Sequence, residues 1–220
     1  MHFSPSTKKE IFSEKPAEIA KDNSASENEI DINKLPEKIE DTVPLKNTDP
    51  IKEAPSNTEN SEKKTANDFK IIQKPVSWGY TASKNRTIDT IVIHSSYNAL
   101  GGDKYDLDKL ISEYKSYGVS PHYLIDRSGN TYQLVSNQNI AYHAGESKMP
   151  DGRTNVNNFS LGIEIMTTQS DSPTDAQYAS LTNLISNIKE SYKIKNILGH
   201  SQIASGRKTD PWNFSWSKID

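Results

Sequence analysis

Residues 88–94 read Ile-Asp-Thr-Ile-Val-Ile-His, and this stretch decides the fold class of the chain. It is short, mostly apolar and rich in β-branched residues, which predicts a strand buried within a sheet. The pattern ends in His94, whose imidazole can transfer a proton or bind a metal. Functional sites of open α/β sheets collect at the carboxyl ends of strands, so His94 is a candidate site residue.

Helix and strand patterns alternate after this first strand. Apolar residues at helical spacing over 107–114 predict a helix, and Gly118 can supply its left-handed stop. Residues 122–126 and 131–135 flank a polar, glycine-containing turn and predict a β-hairpin. Residues 161–166 are mostly apolar and predict a further strand.

A second helix and another strand complete the pattern. Thr174-Asp-Ala-Gln177 predicts a capping box in which Thr174 is the N-cap. The helix that it opens carries an apolar stripe over 178–192, and the apolar run 197–199 then leads into His200. Helices alternating with strands predict the α/β class, as a single domain with a central mixed β-sheet flanked by helices.

The first 68 residues differ from the rest of the chain in composition. They contain no Gly, Trp or Tyr and are crowded with Glu, Lys, Ser, Asn and Pro. Such a segment cannot bury enough apolar surface to offset the entropy of ordering its backbone. We therefore expect a disordered mixed-charge tether over residues 1–68 and one folded domain over residues 69–220.

Charge and composition exclude several classes of function. The net charge of −3 provides no basic field for DNA or RNA, so we expect no nucleic-acid partner. No run is long and apolar enough to predict a membrane span. The absence of Cys excludes disulfides, thiolate metal ligands and a cysteine nucleophile. The absence of a Gly-x-Ser-x-Gly motif argues against a serine hydrolase.

Residues 200–211, His-Ser-Gln-Ile-Ala-Ser-Gly-Arg-Lys-Thr-Asp-Pro, place a histidine and an aspartate at the two ends of one loop. If the loop folds back, His200 and Asp210 can join His94 around one metal ion. Two imidazoles and one carboxylate suit zinc, and they leave the fourth position of a tetrahedral ion open, as catalytic sites do. The alternative is that the histidines are structural and that Asp210 is a turn residue before Pro211.

Two further charged residues can take part in hydrolysis. Glu164 lies among apolar neighbours on a predicted strand, where an unpaired carboxylate is costly, so it is a candidate general base. The alternative is an outward-facing residue on a half-buried strand. Lys208 can offer positive charge to a developing oxyanion, or it is an ordinary surface lysine. Gly162, on the same strand face as Glu164, is expected to leave room for substrate.

Two more histidines lie in the predicted domain. His143 precedes the small residues Ala144 and Gly145, which let a ligand approach the backbone. His143 can therefore donate a hydrogen bond to substrate or orient a metal ligand. His122 lies in a predicted strand and is equally a candidate for a packed histidine and for a site residue.

Together these motifs resemble the zinc-dependent N-acetylmuramoyl-L-alanine amidases of the type 2 amidase and peptidoglycan recognition protein superfamily, and within it the AmpD-like branch. Six sequence segments carry the resemblance: Ile-Val-Ile-His94, Ser-Pro-His-Tyr-Leu-Ile-Asp-Arg-Ser-Gly129, Tyr-His143-Ala-Gly, Asn158-Phe-Ser-Leu-Gly-Ile-Glu164-Ile, Thr174-Asp-Ala-Gln-Tyr178 and Gly-His200 through Arg-Lys208-Thr-Asp210-Pro. The resemblance covers nearly all of residues 85–213 in the family's order, and the ordered set is far more specific than any one motif.

The resemblance implies a role for each matching residue. His94, His200 and Asp210 match the zinc ligands of the family. Glu164 matches the acidic residue that activates water in the AmpD-like branch, and Lys208 matches the lysine that stabilises the transition state.

One position departs from part of the superfamily. Phage relatives use a tyrosine where this chain has Pro121, so the base role falls more heavily on Glu164. Five residues are expected to contact the substrate or line its groove: His122, His143, Ala144, Gly145 and Asn157.

The implied reaction is zinc-dependent hydrolysis of the amide that joins N-acetylmuramic acid to L-alanine, in bacterial peptidoglycan or in muropeptide fragments with intact or anhydro sugar. The alternative is a non-catalytic peptidoglycan-binding module of the same fold. The tether favours an extracytoplasmic location, in the cell wall or secreted, although a cytoplasmic location stays open. Nothing in the sequence demands more than a monomer.

Overall fold

The computed structural model of the chain describes residues 69–219. The tether predicted for residues 1–68 lies outside the described residues, as does Asp220. Within the described part the predicted α/β class is confirmed, because a mixed sheet of six strands is flanked by helices. No helix of residues 69–219 is long and apolar enough to cross a membrane.

The longest strands lie in the interior of the main sheet. In chain order the strands are β1 (Ile71–Gln73), β2 (Tyr80–Thr81), β3 (Thr90–Ser96), β4 (Tyr123–Ile125), β5 (Thr131–Gln133), β6 (Ile140–Ala141), β7 (Ser160–Met166) and β8 (Asn196–Gly199). The main sheet has the order β1-β5-β4-β7-β3-β8, and β2 pairs separately with β6. β4 and β5 are antiparallel, whereas the other neighbours in the main sheet are parallel, so the sheet is mixed.

The two long helices lie where the sequence predicts them, whereas for the residues of the short helix that begins at His200 the sequence predicts only a loop. The helices are α1 (Leu107–Ser116), α2 (Asp175–Ser191) and the short α3 (His200–Ile203), with 3₁₀ turns at Val156–Phe159 and Trp216–Lys218. The capping box of α2 is confirmed: Thr174 Oγ1 accepts from the Gln177 N–H at 3.1 Å, and Gln177 Oε1 accepts from the Thr174 N–H at 3.0 Å. Gly118 follows α1 with a φ of +66°, as predicted for a left-handed stop.

Apolar side chains hold α1 and α2 to opposite faces of the sheet. Leu181 and Leu184 of α2 pack on the face that carries the isoleucines of β3 and β7. Leu110 of α1 packs with Leu124 of β4 on the other face. Leu124 lies in register with Glu164. Glu164 therefore lies on the α1 side of the sheet, because directly paired residues share a face.

Strand register brings predicted site residues together. β3 and β7 pair so that His94 lies directly opposite Glu164. β8 pairs along the other side of β3 and ends at Gly199, so His200 begins α3 beside the end of β3. β3 extends to Ser96, two residues beyond its predicted end, because its parallel pairing with β7 continues past His94.

Candidate functional site

The three predicted metal ligands converge at the carboxyl end of the sheet. His94 Nδ1 lies 3.0 Å from His200 Nδ1 and 3.4 Å from Asp210 Oδ2, and His200 Nδ1 lies 3.2 Å from Asp210 Oδ1. All three side chains are buried. The potential ligand atoms of His94, His200 and Asp210 therefore lie close enough together to hold a single metal ion.

The loop after β8 folds back because its backbone is fixed at both ends. The Ser201 N–H donates to the Asp210 carbonyl at 2.8 Å, and the Ser95 N–H donates to Asp210 Oδ2 at 3.4 Å. Gly199 permits this return, since a Cβ there would lie only 2.6 Å from Cδ of Pro211. The absence of a side chain at residue 199 therefore lets Pro211 pack against β8 and places Asp210 beside His200.

The spacing of the ligand atoms fits a zinc-type ion. Zinc bonds to nitrogen and oxygen of about 2.0–2.1 Å place neighbouring corners of a tetrahedron about 3.3–3.4 Å apart. Measured to a single oxygen of Asp210, Oδ2, the three pairwise distances are 3.0, 3.4 and 3.3 Å, close to that edge length. His200 Nε2 donates to the Ala144 carbonyl at 3.1 Å, and a carbonyl oxygen can only accept, so Nδ1 of neutral His200 keeps its lone pair for a metal.

The electrostatics of the cluster favour the protonation states that bind metal. Burial, followed by the nearby His200, lowers the pKa of His94 from 6.5 to about 4, so this ring is neutral at neutral pH. Burial alone would raise the pKa of Asp210, but hydrogen bonds from the His200 and His94 rings when these are protonated, followed by the charges of those rings, outweigh it and hold that pKa well below its ordinary value. A neutral imidazole and an ionised carboxylate are the forms that bind a metal.

Glu164 is a partly buried carboxyl group beside the cluster. Its Oε2 atom is out of contact with solvent and has no hydrogen-bond partner among residues 69–219. Burial and, next, the charge of Asp210 raise the pKa of Glu164 to about 8, against the lowering effects of Ser96 and Lys208. A carboxyl group that titrates so close to neutrality can exchange a proton during a reaction. The alternative of an outward-facing surface carboxylate does not describe this environment.

The raised pKa of Glu164 predicts a pH-dependent stability of the metal-free protein. Between about pH 4.5 and 8 the folded state keeps a proton that the unfolded chain has lost, so the unfolding free energy falls as the pH rises. Glu164→Gln cannot titrate. The slope of the unfolding free energy against pH should therefore differ between wild type and variant by up to about 1.4 kcal/mol per pH unit. Urea unfolding in the presence of chelator measures it. Parallel slopes would contradict the raised pKa.

Lys208 lies on the loop between His200 and Asp210, and its backbone N–H donates to the Ala204 carbonyl at 3.0 Å. Its side chain is partly buried. The positive charge of Lys208 contributes to lowering the pKa of both Glu164 and His94. The ammonium group therefore acts electrostatically on the site, as a charge placed to meet an oxyanion would.

Two of the predicted substrate residues support the loop above the cluster. Asn157 Oδ1 accepts from the backbone N–H groups of His143 and Ala144, at 3.2 and 2.9 Å. The Ala144 carbonyl in turn accepts from His200 Nε2 and from Arg207. Gly145 is exposed and has a φ of +55°. The substrate-binding roles of Asn157, Ala144 and Gly145 stay predictions.

The other two predicted substrate residues use both ring nitrogens within the protein. His122 is fully buried, with Nδ1 accepting from the Gly162 N–H at 3.1 Å and Nε2 donating to the Asn139 carbonyl at 3.1 Å. His143 contacts His94 Nε2 at 3.0 Å through Nδ1 and Ser160 Oγ at 3.2 Å through Nε2. These contacts hold both rings within the protein. A direct contact of either ring with substrate stays a prediction.

The expectation that Gly162 leaves room for substrate is wrong. A Cβ at residue 162 would lie 2.3 Å from Cγ of His143, so the imidazole of His143 occupies that space. Gly162 does permit a close approach, but the group that approaches it is a side chain of the same protein, His143.

Three polar residues of the site were missed from the sequence. Ser96 Oγ lies 2.5 Å from the Tyr114 hydroxyl and contributes to lowering the pKa of Glu164. Ser160 Oγ contacts His143. Period-two spacing could have found both serines, since Ser96 follows His94 by two residues and Ser160 precedes Gly162 by two. Tyr114 was predicted only as part of a helix stripe, and its contact depends on how α1 packs.

Comparison with known proteins agrees with this geometry. Residues 84–213 match the family described as N-acetylmuramoyl-L-alanine amidase, Amidase_2. The 1,6-anhydro-N-acetylmuramyl-L-alanine amidase AmpD of Escherichia coli K12 is 42% identical over 104 residues, 46% of this chain and 56% of that protein. AmpD of Enterobacter cloacae is 40% identical over 117 residues, 52% of this chain and 62% of that protein. The chain thus spans less than two thirds of the length of these curated relatives.

Solved structures are similar over the same region. The crystal structure of a selenomethionine derivative of AmpD has a TM-score of 0.54 at 30% identity, over 68% of this chain and 92% of that one. AmiD from E. coli, solved with the substrate anhydro-N-acetylmuramic acid-L-Ala-D-γ-Glu-L-Lys, has a TM-score of 0.50 at 31% identity, over 56% of this chain and 52% of that one. The family match spans more than half of the 220 residues, and this chain therefore belongs to the N-acetylmuramoyl-L-alanine amidase family.

Proposed function

We propose that the chain hydrolyses the amide between N-acetylmuramic acid and L-alanine in peptidoglycan fragments, with a zinc ion held by His94, His200 and Asp210. The observation that carries the proposal is the convergence of these three ligand atoms beside the carboxyl group of Glu164. The curated relatives are named as amidases of anhydro-muramyl substrates, and AmiD was solved with such a substrate. Residues 69–220 form the proposed amidase domain.

Zinc in this site would act as a Lewis acid, polarising the scissile carbonyl and lowering the pKa of an attacking water to about 7. The protein supplies the remaining chemistry. Glu164 accepts a proton from the attacking water as the water oxygen bonds to the amide carbon. It then returns a proton to the amine of L-alanine as the C–N bond breaks. Its pKa of about 8 refers to the metal-free site, and nearby positive charge lowers it toward the ionised form that a base requires.

Lys208 offers positive charge to the oxygen that becomes an anion when water adds to the carbonyl. We expect Lys208→Ala to reduce turnover by about 10²–10³-fold, the usual effect of removing one oxyanion donor, with little change in zinc affinity. Turnover is followed by mass spectrometry of digested muropeptides, and zinc affinity by chelator competition. Lys189→Ala, an exposed lysine of α2, is the control. Undiminished turnover in Lys208→Ala would remove this role.

The proposed activity is tested with purified anhydro-muropeptide. Release of the free stem peptide, its loss on chelation and its recovery with added zinc would support the proposal. Binding of the muropeptide without cleavage, in zinc-loaded protein, would instead favour the non-catalytic recognition module. The extracytoplasmic location stays a prediction, because it depends on residues 1–68, and the monomeric state stays a prediction too.

A further inference from the structure

A chain of hydrogen bonds runs from the proposed ligand His94 into the start of β7. Its last member is the Val156 carbonyl, 2.7 Å from Ser160 Oγ. A carbonyl oxygen can only accept, so the single proton of the Ser160 hydroxyl is donated to Val156. The Ser160 oxygen is left as an acceptor for its other neighbour.

Because Ser160 donates to Val156, the donor and acceptor in every other hydrogen bond of this series are determined. The other neighbour of Ser160 Oγ is His143 Nε2, at 3.2 Å, so His143 carries its proton on Nε2. A neutral imidazole has one N–H, and His143 Nδ1 is therefore a bare acceptor. His94 Nε2 lies 3.0 Å from that atom and must donate to it. The Nδ1 of neutral His94 consequently has no proton and faces His200 and Asp210 with its lone pair.

We propose that His143 is a positioning residue that fixes the tautomer and ring orientation of the metal ligand His94. This inference rests on the zinc site of the proposed function. Histidines that bind a metal through one nitrogen commonly donate the other N–H to a fixed acceptor, usually a carboxylate, a carbonyl or water. Here the acceptor is a third imidazole, itself fixed by Ser160 and Val156.

The position of His143 is built into the sheet. Gly162 provides the surface against which the ring lies, because a Cβ there would come within 2.3 Å of Cγ of His143. The ring of His122 meets it edge to face, with centroids 5.6 Å apart. Asn157 Oδ1 accepts from the backbone N–H of His143 at 3.2 Å. Gly162, the ring of His122 and the Asn157 side chain therefore hold the imidazole in one position. A residue that orients a metal ligand needs such support.

The competing role for His143 is a contact with substrate, and the two roles predict different measurements. A substrate contact would change KM or turnover and leave zinc affinity untouched. A positioning residue changes zinc affinity with no substrate present. Loss of an outer hydrogen-bond partner of a metal ligand typically weakens metal binding about 10–100-fold.

Long-range ¹H–¹⁵N NMR of histidine-labelled, zinc-loaded protein reads the tautomers directly. We expect a proton on Nε2 of His94, His143 and His200. A proton on Nδ1 of His143 would overturn the proposal, because the acceptor for His94 would then be missing. This measurement uses the wild-type chain and does not depend on whether any variant folds.

Zinc affinity of two independent variants gives the second test. His143→Leu removes the acceptor, and Gly162→Ala displaces the ring without altering any proposed ligand, so each should weaken zinc binding about 10–100-fold. His143→Asn keeps a carbonyl oxygen near the position of Nδ1 and should recover most of the loss. Gly152→Ala, at an exposed glycine with a φ of +91° where a Cβ would meet nothing within 4 Å, is the control for strain at a glycine; it should lower the melting temperature but bind zinc like wild type.

The outcomes separate this inference from the proposed function. Wild-type protein that binds no zinc would overturn the metal site and the role of His143 together. Wild-type protein that binds zinc, with unchanged affinity in folded His143→Leu and Gly162→Ala, would overturn only the positioning role. Melting temperatures of the metal-free variants identify those that fold.

Discussion

Zinc binding should be lost when Asp210 is replaced with asparagine. The substitution preserves the shape of the side chain but removes the one negative charge among the three proposed ligands. We expect zinc affinity to fall by more than the roughly 10–100-fold that follows loss of an outer partner, and amidase activity to fall with it. Chelator competition measures the first effect and muropeptide digestion the second. Asp108→Asn, an aspartate 82% exposed on α1, is the control for the chemical change.

The same variant should behave in the opposite way without metal. When both imidazoles are neutral, the lone pairs of His94 and His200 and the carboxylate of Asp210 face one another with no proton between them. Asparagine brings an NH₂ donor to this cluster and satisfies at least one of the bare nitrogens.

The unfolding free energy of metal-free Asp210→Asn should therefore equal or exceed that of the metal-free wild type. Urea unfolding in chelator measures it. A variant that is much less stable than wild type without metal would show that the cluster already holds a proton between its ligand atoms, and it would contradict a site whose lone pairs await a cation.

The proposed ligands could be predicted from the sequence because they lie at the ends of recognisable elements. His94 follows an apolar run, His200 follows another, and Asp210 closes the loop that His200 opens. Each pattern indicates a strand or a loop on its own, and the carboxyl ends of parallel strands meet at one edge of a sheet. The capping box of α2 was predictable for the same reason, since its signal lies within four consecutive residues.

The support around the ligands could not be predicted, because it depends on which strands become neighbours. β3 lies between β7 and β8, which follow it by more than 60 residues in the chain, and only that order places Glu164 opposite His94. The empty face of Gly162 indicated a close approach, but the group that fills it, His143, comes from a loop rather than a strand. Tertiary contacts of this kind have no local signature in the sequence.

Glu164→Gln should show the largest loss of activity that leaves the metal site intact. Glutamine has nearly the shape of glutamate but cannot accept the proton of the attacking water or return one to the leaving amine. General acid–base catalysis of this kind typically contributes about 10²–10⁴-fold, and we expect turnover to fall within that range. Zinc affinity should change little, since Glu164 is not among the three proposed ligands.

The comparison that decides the role of Glu164 is between turnover and zinc affinity in one preparation. Muropeptide cleavage by mass spectrometry gives the turnover, and chelator competition gives the affinity. Glu190→Gln, at an exposed position of α2, should match wild type in both. If Glu164→Gln lost activity and zinc affinity in equal measure, Glu164 would support the metal rather than move a proton. If the variant kept full turnover, the base would have to be another group, and it could not be a phenol before His122, since residue 121 is a proline.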